Sequence, residues 1–377
     1  MLPWMSSADP GRVHTEGRMA RVALEEARSE VAAAFGTRSR QVIFTSGATE
    51  AIHAAVFGAL ADASSGVLAG APSGAPSGGK GDHAVVSEVE HAAVRDATAR
   101  ASGWVTWIGA DPEGRIRPAE VLAAIGPDTA LVHSQWANQE VGTLQPVTEI
   151  VAACRERGIT VHVDAATAAG RVPIDFDALG ADLLSVSAHK LGGPPGIGAL
   201  LVRRGRRFTP LLVGGSQERA RRAGMENVGA AIGFAAAVTA LSEGGGDGVG
   251  MTRLLHEAAR ARRQIAVLRD AALAIDGVSV IGPADPGDAI AHILCVDVAG
   301  VEAEGVLLGL DQAGVAAHSG SSCSSELLEP SPVLAAMGLP AERSLRLSVG
   351  WTTTDDEIAL AARVLPQVIG RLRALAG

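Results

Sequence analysis

The chain has 377 residues, of which 47% are hydrophobic and 19% charged, and its formal net charge is −9. This length exceeds what one hydrophobic core usually supports, so we expect two domains, and the acidic balance disfavours nucleic-acid binding. The longest apolar stretch is too short to cross a bilayer and the N-terminus lacks the pattern of a signal peptide, which predicts a cytoplasmic protein.

Short apolar runs in the first two-thirds of the chain predict β-strands, most of them separated by segments with helical spacing. The runs are QVIFT, HAVVSE, GWVTWIG, TALVHSQ, ITVHVDA, DLLSVSA and GALLVRR. This alternation predicts an α/β domain with a mostly parallel sheet. Ligands of such sheets bind at the carboxyl ends of the strands, where Thr45, Asp164 and Ser187 lie.

The remainder of the chain differs in pattern. A tract rich in Gly, Ser, Pro and Ala between Ala63 and Asp82 predicts a surface insertion. From about Thr252, a long helical pattern leads into VSVIG, AHILCVDVAG, a helix over Glu302–Ala313, SLRLSVG and a terminal helix, which predicts a smaller α+β domain. The predicted domains are residues 11–250, and residues 251–377 together with residues 1–10.

The most informative feature is Lys190 in SVSAHKLGGPPGIG, which follows Asp164 in VHVDAATAAG by 26 positions. Pyridoxal phosphate chemistry needs a lysine amine to hold the cofactor and a carboxylate to keep the pyridine nitrogen protonated. Ser187 and His189, just before the lysine, can donate hydrogen bonds to the phosphate or to a cofactor oxygen. Each residue taken singly also fits an ordinary structural role, but the combination predicts a pyridoxal phosphate site.

Further blocks occur in order along the chain. They are FTSGATEAIHAAV, VEHAAV, WANQEVGTLQPV, GGSQERARRAGMENV, HSGSSCSSELLEPSPVL and SLRLSVGWTTTDDEI. With these blocks the chain, from about Pro10 to its C-terminus, resembles the cysteine desulfurases of the NifS/IscS kind, in the class V aminotransferase superfamily. The resemblance implies the fold of type I pyridoxal phosphate enzymes.

The resemblance also implies roles for individual residues. Ala48 and Thr49 lie at a strand-to-helix turn that suits a phosphate by its free N–H groups and helix dipole. The implied roles of the others are ring stacking and proton transfer for His91, contact with the ring oxygen for Asn138 and Thr167, and binding of the substrate carboxylate for Asn138 and Arg346.

Cys323 is the residue that the resemblance makes the nucleophile. It lies in HSGSSCSSELLEP, a run of small polar residues without periodicity, which predicts a mobile loop. The implied reaction starts with L-cysteine: Lys190 removes the α-proton and the Cys323 thiolate attacks the substrate sulfur. Alanine leaves, and the persulfide on Cys323 passes to an acceptor or scaffold protein, as in iron–sulfur cluster assembly. Cys154 and Cys295 lie in apolar surroundings and are predicted core residues.

Three departures from the family pattern stand out. The family has a segment resembling LDxxATTP before the ADPGRVH block, and this sequence starts at Met1 without it. Thr167 stands where the family has a glutamine. Met225 replaces a threonine that donates to the cofactor phosphate of the neighbouring subunit, and methionine cannot donate a hydrogen bond.

The block GGSQERARRAGMENV, which in the family crosses to a neighbour's cofactor, implies a homodimer. Two other functions stay open. One is a pyridoxal phosphate C–S lyase that uses Lys190 without needing Cys323. The other is a weakened, non-catalytic paralogue that acts as a partner-binding subunit.

Overall fold

The computed structural model describes residues 9–65, 81–242, 252–319 and 331–376. These residues form two compact units, each treated by itself below. The first unit draws on Met1–Ile108, Pro118–Trp136 and Pro146–Leu254, and the second on Gly109–Arg117, Ala137–Gln145 and Leu255–Gly377. Two short segments within the predicted domain of residues 11–250, Gly109–Arg117 and Ala137–Gln145, group with the second unit. Most of the predicted surface insertion and all of the Cys323 loop from residue 320 to 330 lie outside the described residues.

A seven-stranded sheet, in the order β1-β7-β6-β5-β4-β2-β3, is the centre of the first unit. Its strands are β1 (Val42–Thr45), β2 (His83–Ser87), β3 (Trp104–Ile108), β4 (Thr129–Gln135), β5 (Thr160–Asp164), β6 (Leu183–Ser187) and β7 (Gly198–Val202). Strand β7 runs antiparallel to both β1 and β6, and the other neighbouring strands pair in parallel. The mostly parallel α/β sheet predicted from the sequence is confirmed.

The first unit also contains helices. They are α1 (Thr15–Ala34), α2 (Ala48–Ser65), α3 (Ala92–Ala101), α4 (Pro118–Ala123), α5 (Val147–Glu156), α6 (Phe176–Leu179), the one-turn α7 (Gln217–Ala220), α8 (Val228–Ser242) and the start of α9 (Thr252–Leu273). Strands β4, β5 and β6 are buried along their whole length, as expected for strands covered on both faces of a mostly parallel sheet. Their polar residues, which include Asp164 at the end of β5 and Ser187 at the end of β6, therefore need a reason.

The second unit contains a three-stranded antiparallel sheet in the order β10-β9-β8. The strands are β8 (Val278–Ile281), β9 (Ile293–Val298) and β10 (Ser344–Ser348), and the helices are the remainder of α9, α10 (Ala303–Gln312), α11 (Pro332–Ala336) and α12 (Asp355–Ala376). Leu294, Leu345, Val306 and Ile369 belong to its hydrophobic core. The unit is thus α+β, as predicted. None of the helices in the described part of the chain is long and apolar enough to cross a membrane.

Candidate cofactor and substrate sites

Lys190 lies in a 3₁₀ turn, Ala188–Leu191, that follows β6 directly. Gly192 ends this turn with a φ of 93°, a left-handed conformation that glycine adopts without strain. The Lys190 amine donates to the Thr167 hydroxyl at 3.3 Å. Ser187, at the end of β6, bonds to Nδ1 of His189 at 2.9 Å. The turn therefore places an amine, an imidazole and a buried hydroxyl at the carboxyl end of one strand.

Asp164 is the last residue of the neighbouring strand β5 and is only 8% exposed. Its Oδ1 accepts from the Ser185 hydroxyl at 2.9 Å and from the Ala166 amide at 3.0 Å. Ser185 is the residue paired with Asp164 across the β5–β6 ladder. These two bonds fix the orientation of the carboxylate. Sequence reasoning missed Ser185, although a serine inside the apolar run DLLSVSA was a usable signal.

His91 is the N-cap of α3, and its Nδ1 accepts from the Ala93 amide at 3.0 Å. Since Nδ1 acts as the acceptor, the proton of the neutral ring is on Nε2. Burial lowers the pKa of His91, the positive charge of Lys190 lowers it further, and the negative charge of Asp164 opposes both. His91 is therefore neutral at physiological pH and shares one electrostatic environment with Lys190 and Asp164.

The turn between β1 and α2 lies close to Gly198 at the start of β7 and to Ser187, the residue that precedes the Lys190 turn. A Cβ built on Gly198 would lie 2.8 Å from the Gly47 Cα, and one built on Gly47 would lie 4.0 Å from the Ser187 Oγ. Helix α2 begins at Ala48, so its first N–H groups lie at this turn together with the exposed Thr49. An anion placed here meets a helix N-terminus and the donors of the Lys190 turn.

Glu90 is a buried carboxyl group that sequence reasoning missed. It is 1% exposed, and its Oε1 accepts from the Gln135 amide at 2.6 Å. Burial, followed by the negative charge of Asp164, raises the pKa of Glu90 to about 8. Its position directly before His91 in VEHAAV was the available signal. The first unit therefore holds a protonated carboxyl group beside the ionisable groups of the candidate site.

The segment around Met225 begins with backbone in an unusual conformation. Glu218, Arg219 and Ala220 have φ angles of 49°, 60° and 60°, a left-handed conformation that costs non-glycine residues about 1–2 kcal/mol each. The Glu218 side chain compensates, because it is buried in a two-bond ion pair with Arg28. Met225, seven residues beyond Glu218, is 57% exposed.

The second unit holds Asn138 and Arg346. Oδ1 of Asn138 accepts from the amides of Glu140 and Val141, at 2.8 and 3.0 Å. The Arg346 guanidinium, on β10, donates to the Gln139 carbonyl at 3.1 Å. Burial raises the pKa of Glu140 to about 7, against the opposing effects of a bond from Ser331 and the charge of Arg346. Asn138, Glu140 and Arg346 thus form one cluster, and sequence reasoning missed Glu140.

Residues 5–360 match the class-V aminotransferase family. The chain belongs to this family. It is 36% identical to a protein of Dictyoglomus turgidum named cysteine desulfurase IscS, over 100% of this chain and 91% of that protein. It is 37% identical to an IscS-like cysteine desulfurase of Mycobacterium tuberculosis, over 96% of this chain and 89% of the relative.

Solved structures agree with this family membership. DndA from Streptomyces lividans is 31% identical, with a TM-score of 0.74 over 92% of this chain and 94% of its own. A NifS-like protein has a TM-score of 0.82 at 25% identity, over 97% and 92% of the two chains. The predicted relation to the NifS/IscS proteins is therefore confirmed, and with it the type I fold of this pyridoxal phosphate-dependent family.

The predicted site residues of this member of the class-V aminotransferase family fall into three groups. The first unit brings together Ala48, Thr49, His91, Asp164, Thr167, Ser187, His189 and Lys190. The second unit holds Asn138 and Arg346, and Cys323 lies outside the described residues. The other cysteines, Cys154 and Cys295, are buried as predicted, and burial raises the pKa of their thiols to about 11 and about 12.

Proposed function

We propose that this protein is a pyridoxal phosphate-dependent cysteine desulfurase. It would convert L-cysteine to L-alanine and leave a persulfide on Cys323 for transfer to an acceptor or scaffold protein. Family membership and the names of the relatives at 36% and 37% identity support the reaction class. The observation that carries the proposal is the placement of Lys190 directly after β6 and of Asp164 at the carboxyl end of the neighbouring strand β5, in the same unit as His91 at the start of α3.

The described residues fit the cofactor by their chemistry. The phosphate would be held on one side by the start of α2 with Thr49, and on the other by the bonded side chains of Ser187 and His189. The close approach of Gly47 to Gly198 brings these two sides together. Asp164, already oriented by Ser185, would hold the pyridine nitrogen. When bound, pyridoxal phosphate supplies an electron sink for the charge that develops at the substrate α-carbon.

The chain's own groups would then divide the work. Lys190 would bind the cofactor and take the α-proton, with its amine oriented by the hydroxyl of Thr167. The neutral imidazole of His91 would lie over the ring with its N–H at Nε2. Arg346 would bind the substrate carboxylate in a bidentate manner, and Asn138, whose Oδ1 is already occupied, would present its amide N–H groups.

Cys323 is the proposed nucleophile. A thiolate is needed to attack sulfur, and the raised pKa values of Cys154 and Cys295 keep those buried thiols protonated at neutral pH. In the proposed step the C–S bond of the substrate breaks and an S–S bond to Cys323 forms. The electron pair left on the β-carbon takes up a proton, and the α-carbon regains the proton that Lys190 removed, which gives alanine.

Product analysis of three proteins tests this proposal. The wild type should release alanine from L-cysteine and carry a persulfide on Cys323, detected by mass spectrometry. Cys323→Ser should bind the cofactor and substrate but release no alanine, whereas Lys190→Ala should lose borohydride-fixed cofactor. Turnover by Cys323→Ser to sulfide and pyruvate would identify a C–S lyase. Wild-type protein that stays colourless with added pyridoxal phosphate would identify a non-catalytic paralogue.

A further inference from the structure

An ion pair joins the segment around Met225 to the candidate phosphate-binding turn. The Arg222 guanidinium lies against the Glu50 carboxylate, with Nε–Oε1 at 2.9 Å and Nη2–Oε2 at 3.2 Å. The two side chains are 23% and 13% exposed, so the pair is largely shielded from water. Glu50 Oε2 also accepts from the Ser46 amide at 2.8 Å. One carboxylate therefore holds both the arginine and the first residue of the turn.

The position of Glu50 makes this pair more than a surface contact. Glu50 is in the first turn of α2, next to Thr49, where the proposed phosphate would bind. Burial alone would raise the pKa of Glu50, but the bonds from Arg222 and Ser46 outweigh it and the pKa is lowered. Glu50 is thus ionised at neutral pH, and an unopposed carboxylate at this position would repel a phosphate dianion.

The segment that carries Arg222 is itself fixed to β1. The Glu218 carboxylate accepts from Arg28 at 2.5 and 2.8 Å and from the Phe44 amide at 3.1 Å. Phe44 lies two residues before Ser46, the first residue of the turn, and Glu50 lies four residues after Ser46. The segment is therefore attached on both sides of the phosphate-binding turn. The left-handed backbone begins at Glu218, the first point of attachment, and ends at Ala220, two residues before Arg222.

We propose that Arg222 is a positioning residue of the phosphate site: it neutralises Glu50 and, through that carboxylate, fixes the Ser46 amide, so that the turn accepts a dianion. In this role Arg222 acts on the turn through the Glu50 carboxylate rather than on the reacting atoms. The inference rests on the proposed function, because it requires the cofactor phosphate at this turn.

Binding of two related ligands to the apoprotein tests the inference. Pyridoxal phosphate carries the dianion and pyridoxal does not, so a charge effect must separate them. We expect Arg222→Gln to weaken binding of pyridoxal phosphate roughly ten-fold or more, with pyridoxal changed by less than about two-fold. Arg222→Lys, which keeps the charge but loses the fork, should recover most of the affinity.

Matched variants separate neutralisation from simple loss of charge or fold. Glu50→Gln/Arg222→Gln should return to within about three-fold of wild type, because neither charge remains. Arg219 lies in the same segment as Arg222 and forms an exposed ion pair with Glu25 of α1. Arg219→Gln removes the same charge from the segment, and this variant should bind pyridoxal phosphate like wild type. Glu50→Gln alone should bind pyridoxal phosphate at least as tightly as wild type. This variant tests whether Arg222 acts by neutralising Glu50 even if Arg222→Gln does not fold.

Two outcomes would overturn the inference while leaving the proposed function intact. One is equal weakening of pyridoxal phosphate and pyridoxal by Arg222→Gln, and the other is weaker binding of pyridoxal phosphate by Glu50→Gln. Either result would mean that the pair only supports the backbone. A wild-type protein that binds no pyridoxal phosphate would overturn the proposed function and this inference together.

Discussion

The buried carboxyl group of Glu90 should make the stability of this protein depend on pH in a predictable direction. Its ordinary pKa is 4.5 and burial with the nearby charge of Asp164 raises it to about 8. Between these values the folded state keeps the proton and the unfolded state releases it. Because the unfolded state then binds fewer protons, the contribution of Glu90 to stability falls as the pH rises from 4.5 to about 8.

The size of this change in stability follows from the difference between the two pKa values of Glu90. The difference between about 8 and 4.5 is about 3.5 pH units. At 1.36 kcal/mol per unit, this amounts to roughly 5 kcal/mol in the free energy of unfolding. Glu90→Gln replaces the protonated acid with a neutral amide of the same shape, whose oxygen can still accept from the Gln135 amide. The substitution therefore removes the loss of stability that the ionisation of Glu90 causes as the pH rises.

Urea unfolding of the apoprotein, followed by circular dichroism from pH 5 to pH 9, measures this directly. The stability of Glu90→Gln relative to wild type should increase by about 1.4 kcal/mol per pH unit up to about pH 8 and then level off. Glu304→Gln makes the same chemical change at an exposed position and serves as the control. Parallel pH profiles for wild type and Glu90→Gln would refute the reasoning, since Glu90 would then be ionised in the folded protein.

Two further predictions concern the segment around Met225. Met225→Thr should restore a hydrogen-bond donor and therefore slow cofactor release. It should raise the melting temperature of the holo form but not of the apo form. Equal shifts of the two melting temperatures would mean that residue 225 acts through packing. The exposure of Leu212, Val213 and Met225, at 41%, 79% and 57%, is consistent with a covered surface in a homodimer. Sedimentation should give a dimer, and a stable monomer with full cofactor occupancy would contradict this.

The sequence was sufficient where the signal is local. Burial on both sides of the sheet gives each central strand a cluster of apolar residues, so the strands could be located from the pattern of the sequence. Lys190 and Asp164 were found because a lysine in SVSAHKLGGPPGIG and an aspartate at the end of VHVD supply the amine and the carboxylate that pyridoxal phosphate chemistry needs. The family blocks then identified the reaction class, and family comparison confirmed it.

The tertiary structure alone decided the contacts and the charge states. Nothing in the sequence indicated that β7 lies antiparallel between β1 and β6, which places Gly47 against Gly198 beside Ser187. The sequence also contained no sign that Arg222 pairs with Glu50, because the two residues lie 172 positions apart in the chain. Glu90 was readable as a glutamate, but its pKa depends on burial and on the charge of Asp164. Residue identity and periodicity are properties of the chain, whereas a protonation state depends on the surroundings that long-range folding creates.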